Sequence, residues 1–139
     1  MIEHLLDPLE FASVLTRLMV GSIFFIQGYD KVFKIGNKEV FTTIQPAFKK
    51  IGMPNQFTNA FTFITSWIEM LGGLLLIIGL FKYLMIYLLG IDLLIVLIGM
   101  SLIDPVMDLK LIFPRFILLL ILLLLPREAD VLCLDNFIF

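Results

Sequence analysis

The chain is poor in the residues that build soluble redox and metal sites. Its 139 residues include one cysteine, Cys133, and one histidine, His4, and both lie near the ends of the sequence. An intramolecular disulfide, a Cys-x-x-Cys redox pair and a haem held by two histidines are therefore excluded. We expect no metal site and no intrinsic cofactor.

Charge is scarce as well. Only 16% of the residues are Asp, Glu, Lys or Arg, the formal net charge is −2, and no basic run is longer than Lys49-Lys50. Proteins that bind nucleic acid carry clustered basic residues, which this chain lacks. Nucleic acid is therefore excluded as a main partner.

Apolar residues dominate what remains. They make up 60% of the chain, and the mean hydropathy is +1.06, whereas soluble domains are typically about half apolar and about a quarter charged. This composition predicts an integral membrane protein surrounded by lipids. Four spanning helices of roughly 20 residues each would leave room only for short loops. We therefore expect an all-α fold, with residues 1–139 forming a single four-helix transmembrane bundle.

Four apolar runs predict transmembrane helices at about 11–33, 57–80, 83–103 and 111–125. The first run is long and follows an acidic segment, so we expect it to stay in the mature protein rather than to be cleaved as a signal peptide. The fourth run is the shortest and is bounded by Pro114 and Pro126. It either begins before Arg115 or lies partly buried against its neighbours.

An amphipathic helix is predicted at about 39–51, between the first two transmembrane helices. On a helical wheel its apolar residues share one arc of about 120°, opposite the polar residues. The apolar residues are Val40, Phe41, Ile44, Ala47, Phe48 and Ile51. Such a helix would lie at the membrane interface. The alternative interpretation is an ordinary loop with scattered phenylalanines.

The distribution of basic residues predicts the topology. One end of the bundle carries Lys31, Lys34, Lys38, Lys49, Lys50, Lys110 and Arg115. The other end carries Lys82 and Arg127, with Arg17 a turn or two inside. We therefore expect the loops between helices 1 and 2 and between helices 3 and 4 to be cytoplasmic. Both termini would then lie on the non-cytoplasmic side, which is the periplasm in a Gram-negative cell.

Four charged residues fall at membrane depth, where an ionised group needs a partner. They are Arg17, Lys31, Glu69 and Asp92. Helical spacing turns them toward the bundle interior, together with small and hydroxyl residues. They form either buried ion pairs that fix the helix register, or a polar pocket or proton site. By helical rise, Lys31 should lie roughly 10 Å below Glu69 and Arg17 roughly as far above it. We therefore expect a cavity with water or a ligand headgroup to bridge them.

Several segments resemble the DoxX family of membrane proteins. RLMVGSIFFIQGYDKVF is similar to its helix 1 signature, through Arg17, Gly21, Phe25, Gly28 and Lys31. WIEMLGGLLLIIGL resembles its second motif, through Glu69, Gly72, Gly73, Leu76 and Gly79. IGMP at 51–54 and CLD at 133–135 resemble two shorter motifs, the second with Cys in place of Ser. Asp92 and Pro126-Arg127 depart from the family pattern.

The resemblance implies a four-helix protein of the bacterial cytoplasmic membrane that acts in a complex with other protein subunits. Some members are subunits of a thiosulfate:quinone oxidoreductase, so a bound quinone or lipid is one expectation. The chain would then be an oxidoreductase subunit without a redox centre of its own. The expected pocket lining is Gly21, Phe24, Phe25, Gly28, Ser66, Trp67 and Gly73. The alternatives are a non-catalytic scaffold for a partner membrane protein and a small proton-coupled carrier.

Overall fold

The computed structural model describes residues 7–104, 106, 110, 112–130 and 132–138, and within them the chain is helical with no β-strand. His4 and Leu111 lie outside the described residues. Helix α1 spans Pro8–Tyr29 and continues as a π-helical segment, Asp30–Ile35. Further helices in the described ranges are α2 (Asn37–Lys50), α3 (Asn55–Ile78), α4 (Lys82–Ser101), α5 (Phe113–Leu124) and the short α6 (Asp135–Ile138). A single 3₁₀ turn, Arg127–Ala129, follows α5.

In the part of the chain that the structure describes, three helical segments are long and apolar enough to cross a membrane: Pro8–Ile35, Asn55–Ile78 and Lys82–Ser101. They match the first three predicted spans. Helix α5 has 12 residues, which at 1.5 Å per residue covers about 18 Å of the roughly 30 Å hydrocarbon layer. Pro114 stands in its first turn, where the missing backbone N–H of proline is tolerated. Within the described residues, the fourth predicted span is thus a shorter apolar helix.

Local sequence explains where the long helices begin and end. Asp7 and Glu10 form a capping box at the start of α1, which satisfies free backbone N–H groups there. Gly79 caps the C-terminal end of α3, and its φ of 73° lies in the left-handed region that glycine favours. The chain then reverses tightly and α4 begins at Lys82.

The core lies where α1, α3, α4 and α5 meet. Its most deeply buried apolar residues are Val20, Phe24, Leu76, Leu89 and Leu122. Large apolar side chains also cover the outside of the helices, as a bilayer requires; Ile26, Phe63, Ile91 and Leu124 are all more than half exposed.

Helix α2 packs across one end of the bundle, where the sequence predicted a helix at 39–51. Its buried residues are Val40, Ala47 and Phe48, and the Phe48 ring lies 5.2 Å from that of Phe61 on α3. Asn37 at its start accepts a hydrogen bond from the Thr62 hydroxyl at 2.9 Å. These contacts fix α2 to α3, while its place at the membrane interface stays a prediction.

Candidate functional site

Glycines bring α1 and α3 into backbone contact and thereby set the level of every polar residue on them. A Cβ atom on Gly28 would lie 2.3 Å from the Met70 nitrogen, and one on Gly73 would lie 2.3 Å from the Phe25 nitrogen. Gly21 is similarly close to the Gly73 carbonyl oxygen. Gly21, Gly28 and Gly73, which the sequence predicted as pocket lining, therefore lie at the interface between the two helices, where small residues allow the closest approach.

This register places Lys31 beside Glu69. The Lys31 ammonium donates to both carboxylate oxygens of Glu69, at 2.7 and 2.5 Å. The Glu69 side chain is 4% exposed and that of Lys31 is 26% exposed. The expectation of a gap of roughly 10 Å was wrong, because Gly28 packs directly against Met70, the residue after Glu69. Lys31 stands about one turn beyond Gly28, within reach of Glu69 for its flexible side chain.

Asp92 on α4 joins this pair from the third long helix. It is buried and interacts electrostatically with both Glu69 and Lys31. Neither of its carboxylate oxygens meets a hydrogen-bond donor in the described part of the chain. The structure thus brings together three of the four predicted charged residues. We call Lys31, Glu69 and Asp92 the inner cluster.

A cavity of about 320 Å³ opens next to Lys31. Small-molecule sites typically occupy about 300–1,000 Å³ and combine apolar walls with a few polar groups. This cavity has that character. Its lining consists of Gln27, Lys31, Ile35, Glu39, Val40, Thr43, Ile44, Val96, Met100, Ile112 and Arg115. We call it the basic cavity.

Arg115 is a charged residue of the basic cavity that the sequence did not predict as a site residue. It lies in the first turn of α5 and interacts electrostatically with Glu69. The sequence does show an arginine inside a run of leucine and isoleucine. This residue served there only to predict the membrane topology. Arg115 adds a second cation to the cavity.

The other predicted lining residues are dispersed. Ser66 and Trp67 line a separate cavity of about 40 Å³ that also touches Lys31, which is enough room for a water molecule. Phe24 belongs to the apolar core. The Phe25 ring lies 6.2 Å from that of Tyr29, outside the inner cluster.

Arg17 does not join the inner cluster, which corrects the prediction that all four charges converge. Its guanidinium donates to the Cys133 sulfur and, at 2.9 Å, to the Leu132 carbonyl oxygen. The physical reason is that the segment after α5 folds back over the far end of the bundle. The sequence offers no register for that segment relative to α1, so the contact could not be derived from helical spacing.

A second cluster of buried polar residues surrounds Asp130, at the same end of the bundle as Arg17. Asp130 accepts from the Lys82 ammonium at 2.5 Å and from the Ser13 hydroxyl at 2.6 Å. The carboxylate of Asp135 accepts from the backbone N–H groups of Phe81 and Lys82, at 2.7 and 3.0 Å. The C-terminal segment is thus tied to α1 and to the start of α4.

We call Ser13, Lys82 and Asp130 the outer cluster. The sequence did not predict it, because Lys82 served only to predict the topology and Asp130 lies outside the predicted helices. The signal that could have found it was the CLD motif, whose Asp135 caps α4. Burial raises the pKa of the Cys133 thiol, and the neighbouring Arg17 only partly opposes this. Cys133 is therefore a protonated structural thiol at neutral pH.

A comparison with family models matches the DoxX model over residues 12–101. The match covers well over half of the chain. This chain belongs to the DoxX family. The comparisons with curated proteins and with solved structures gave no significant match.

The residues matched by the DoxX model include the whole inner cluster but not Asp130. Lys31, Glu69 and Asp92 all lie within residues 12–101, so the inner cluster falls entirely in the matched region. Arg115 and Asp130 lie beyond it. Family membership, together with the three long apolar helices, makes this DoxX chain a membrane protein.

Proposed function

We propose that this DoxX protein binds an amphipathic membrane molecule, with a quinone as the favoured ligand, in the basic cavity. One observation carries the proposal: a cavity of about 320 Å³ presents Lys31 and Arg115 beside apolar walls. Quinones combine a ring bearing carbonyl oxygens with an apolar tail, and the cavity offers donors and apolar surface to match.

The chemistry of the lining suggests a role for each part. Lys31 is held in place by Glu69, and its remaining N–H bond and the N–H groups of Arg115 suit carbonyl oxygens. Val96, Met100 and Ile112 provide apolar contact for the ring. In this proposal the quinone carries the electrons, and a partner subunit supplies or accepts them. The chain would thus act as the quinone-binding subunit of a membrane oxidoreductase.

Binding can be measured on purified protein with a short-chain quinone, using the fluorescence of Trp67, the single tryptophan, as the reporter. Losing a hydrogen bond from a charged donor costs about 1.5–3 kcal/mol, which is about 10- to 150-fold in Kd. Arg115→Gln should weaken quinone binding by that factor.

Lys38→Gln is the matched control, because Lys38 is exposed and lies outside the cavity lining. It should bind quinone as the wild type does. Equal affinity of all three proteins would contradict the proposal. The molecules bound to gently purified protein can be extracted with solvent and identified. An extract that contains phospholipid but no quinone would show that the cavity binds a lipid headgroup and would contradict the choice of quinone.

Membership in a complex is the second part of the proposal, and the length of α5 supports it. Twelve residues cover only about 18 Å of the roughly 30 Å hydrocarbon layer. A partner subunit would complete the span. Mass spectrometry of complexes released gently from native membranes should show a heteromer, and a lone monomer under those conditions would contradict it.

We further propose that the protein resides in the bacterial inner membrane with the basic end of the bundle in the cytoplasm. The positive-inside rule supports this orientation, since the exposed Lys38 and Lys49 lie at that end. In a Cys133→Ser background, Lys38→Cys should react with an impermeant thiol reagent only from the cytoplasmic side. Glu128→Cys should react only from the other side, and the reverse pattern would refute the orientation.

A further inference from the structure

Glu69 and Asp92 form a pair of buried carboxyl groups contributed by neighbouring helices. They are 3% and 4% exposed. Gly72 on α3 packs against the Leu89 side chain on α4, and one turn further along each of these antiparallel helices the same register brings Glu69 level with Asp92. The two groups interact electrostatically there. Two ionised carboxylates only accept hydrogen bonds, so they can bond to each other only if one of them carries a proton.

The neighbouring polar groups do not provide another donor for Asp92. The hydroxyls of Thr65 and Ser66, on α3 just before Glu69, both donate to the Thr62 carbonyl oxygen, at 3.2 and 2.8 Å. Within the described residues, no donor reaches either oxygen of Asp92. An ionised Asp92 would therefore bear an unsatisfied charge in the interior, which costs several kcal/mol.

The charged groups that face the pair come from two other helices. Lys31 on α1 donates directly to both oxygens of Glu69. Arg115 on α5 interacts with Glu69 only electrostatically. One ammonium in direct contact balances one carboxylate, which leaves the second carboxyl group without a counter-ion in contact.

We propose that Glu69 and Asp92 bind a single proton between them. Asp92, as a neutral carboxylic acid, donates a hydrogen bond to the Glu69 carboxylate, which also accepts from Lys31. The inner cluster is then electrically neutral, and the Asp92 carboxyl group gains a hydrogen bond that it would lack if it were ionised. Paired carboxyl groups elsewhere in proteins share a proton for the same electrostatic reason.

The arrangement also indicates how this proton exchanges with its surroundings. Lys31 is the more exposed member of the cluster and lines the basic cavity. On the other side, Asp92 borders a groove of about 240 Å³ between α3 and α4, lined otherwise by apolar residues and Thr65. The polar route from the pair therefore leads past Lys31 into the basic cavity. The proton site does not depend on which molecule the cavity binds.

Infrared spectroscopy of the full-length protein in lipid nanodiscs tests the proposal without a variant. At neutral pH the wild type should show the carbonyl band of one protonated carboxyl group per chain in a nonpolar environment, with a downshift in deuterated water. Absence of such a band would overturn the proposal.

Variants then assign the band. Asp92→Asn should abolish it, because the variant removes the carboxyl group to which the proposal assigns the proton. Glu69→Gln should abolish it too, because Asp92 can then ionise as the partner of Lys31. Lys31→Gln should retain the band, since removing the cation favours the protonated form.

Asp104→Asn is the matched control, because Asp104 is exposed beyond the end of α4. It should leave the band unchanged. A band that survives both Asp92→Asn and Glu69→Gln, or that disappears in Lys31→Gln, would refute the shared proton. These readouts are independent of quinone binding, so the two proposals can fail separately.

Discussion

Replacing Gly28 with alanine should force α1 and α3 apart and destabilise the protein. The added Cβ atom would lie 2.3 Å from the nitrogen and 2.6 Å from the Cα atom of Met70, whereas ordinary Cβ contacts are 3.4–4 Å. The obstructing atoms belong to the α3 backbone, so no side-chain rotation can relieve the clash. The two helices must separate locally by roughly 1 Å.

The cost follows from overpacking at a helix interface. Inserting a methyl group into a well-packed interior costs about 1–3 kcal/mol, and a clash with backbone lies at the upper end of that range. The better helix propensity of alanine recovers up to about 1 kcal/mol. We therefore expect Gly28→Ala to lower the free energy of unfolding by about 2 kcal/mol. The same shift would draw Lys31 away from Glu69.

Gly90 on α4 provides the matched control, since a Cβ atom there would meet nothing within 4 Å. Gly90→Ala should be neutral or stabilising by up to about 1 kcal/mol. Unfolding of both variants in mixed micelles with increasing sodium dodecyl sulfate, followed by circular dichroism, measures the difference. Equal stability of the two variants would refute the packing argument.

Three other predictions concern charged and titratable groups. Asp130→Asn should cost about 3–5 kcal/mol in the same unfolding assay, because it leaves the buried Lys82 ammonium without a carboxylate; a loss below about 1 kcal/mol would contradict this. Burial raises the pKa of Cys133 above 9.0, so its contribution to stability is present below pH 9.0 and lost above it, where the unfolded thiol ionises. Folded protein should accordingly react slowly with maleimide at neutral pH, and rapid labelling would argue against a buried thiol. Glu69→Gln should impair activity or assembly more than Glu128→Gln, because Glu128 is exposed and lies outside the basic cavity; equal, negligible effects would refute a functional role for the inner cluster.

The sequence predicted the three long helices well because their signal is local. Apolar runs of about 20 residues interrupted by Gly, Pro or charge suffice to locate them, and the observed bounds differ from the predicted ones by a few residues. The fourth run was predicted to span the membrane, yet the described helix has 12 residues. Composition alone cannot separate a short apolar helix at an interface from a full span.

The inner cluster could be predicted in part, because helical periodicity places Lys31, Glu69 and Asp92 on inward faces. Arg17 shares the face of Lys31, and nothing local distinguishes the two. Their separation depends on the C-terminal segment, which brings Cys133 and Leu132 to Arg17. Contacts of that kind join residues more than a hundred positions apart, where sequence patterns give no register.

The sequence by itself therefore determined that this is a helical membrane protein with ionisable groups that have to be paired inside it. That result follows from the high cost of an unpaired charge in hydrocarbon, whatever the packing. Tertiary structure alone decided which charges meet. Backbone contact at Gly28 and Gly73 fixes the level of Glu69 against Lys31. The packing of α4 against α3 then brings Asp92 close enough to interact electrostatically with both.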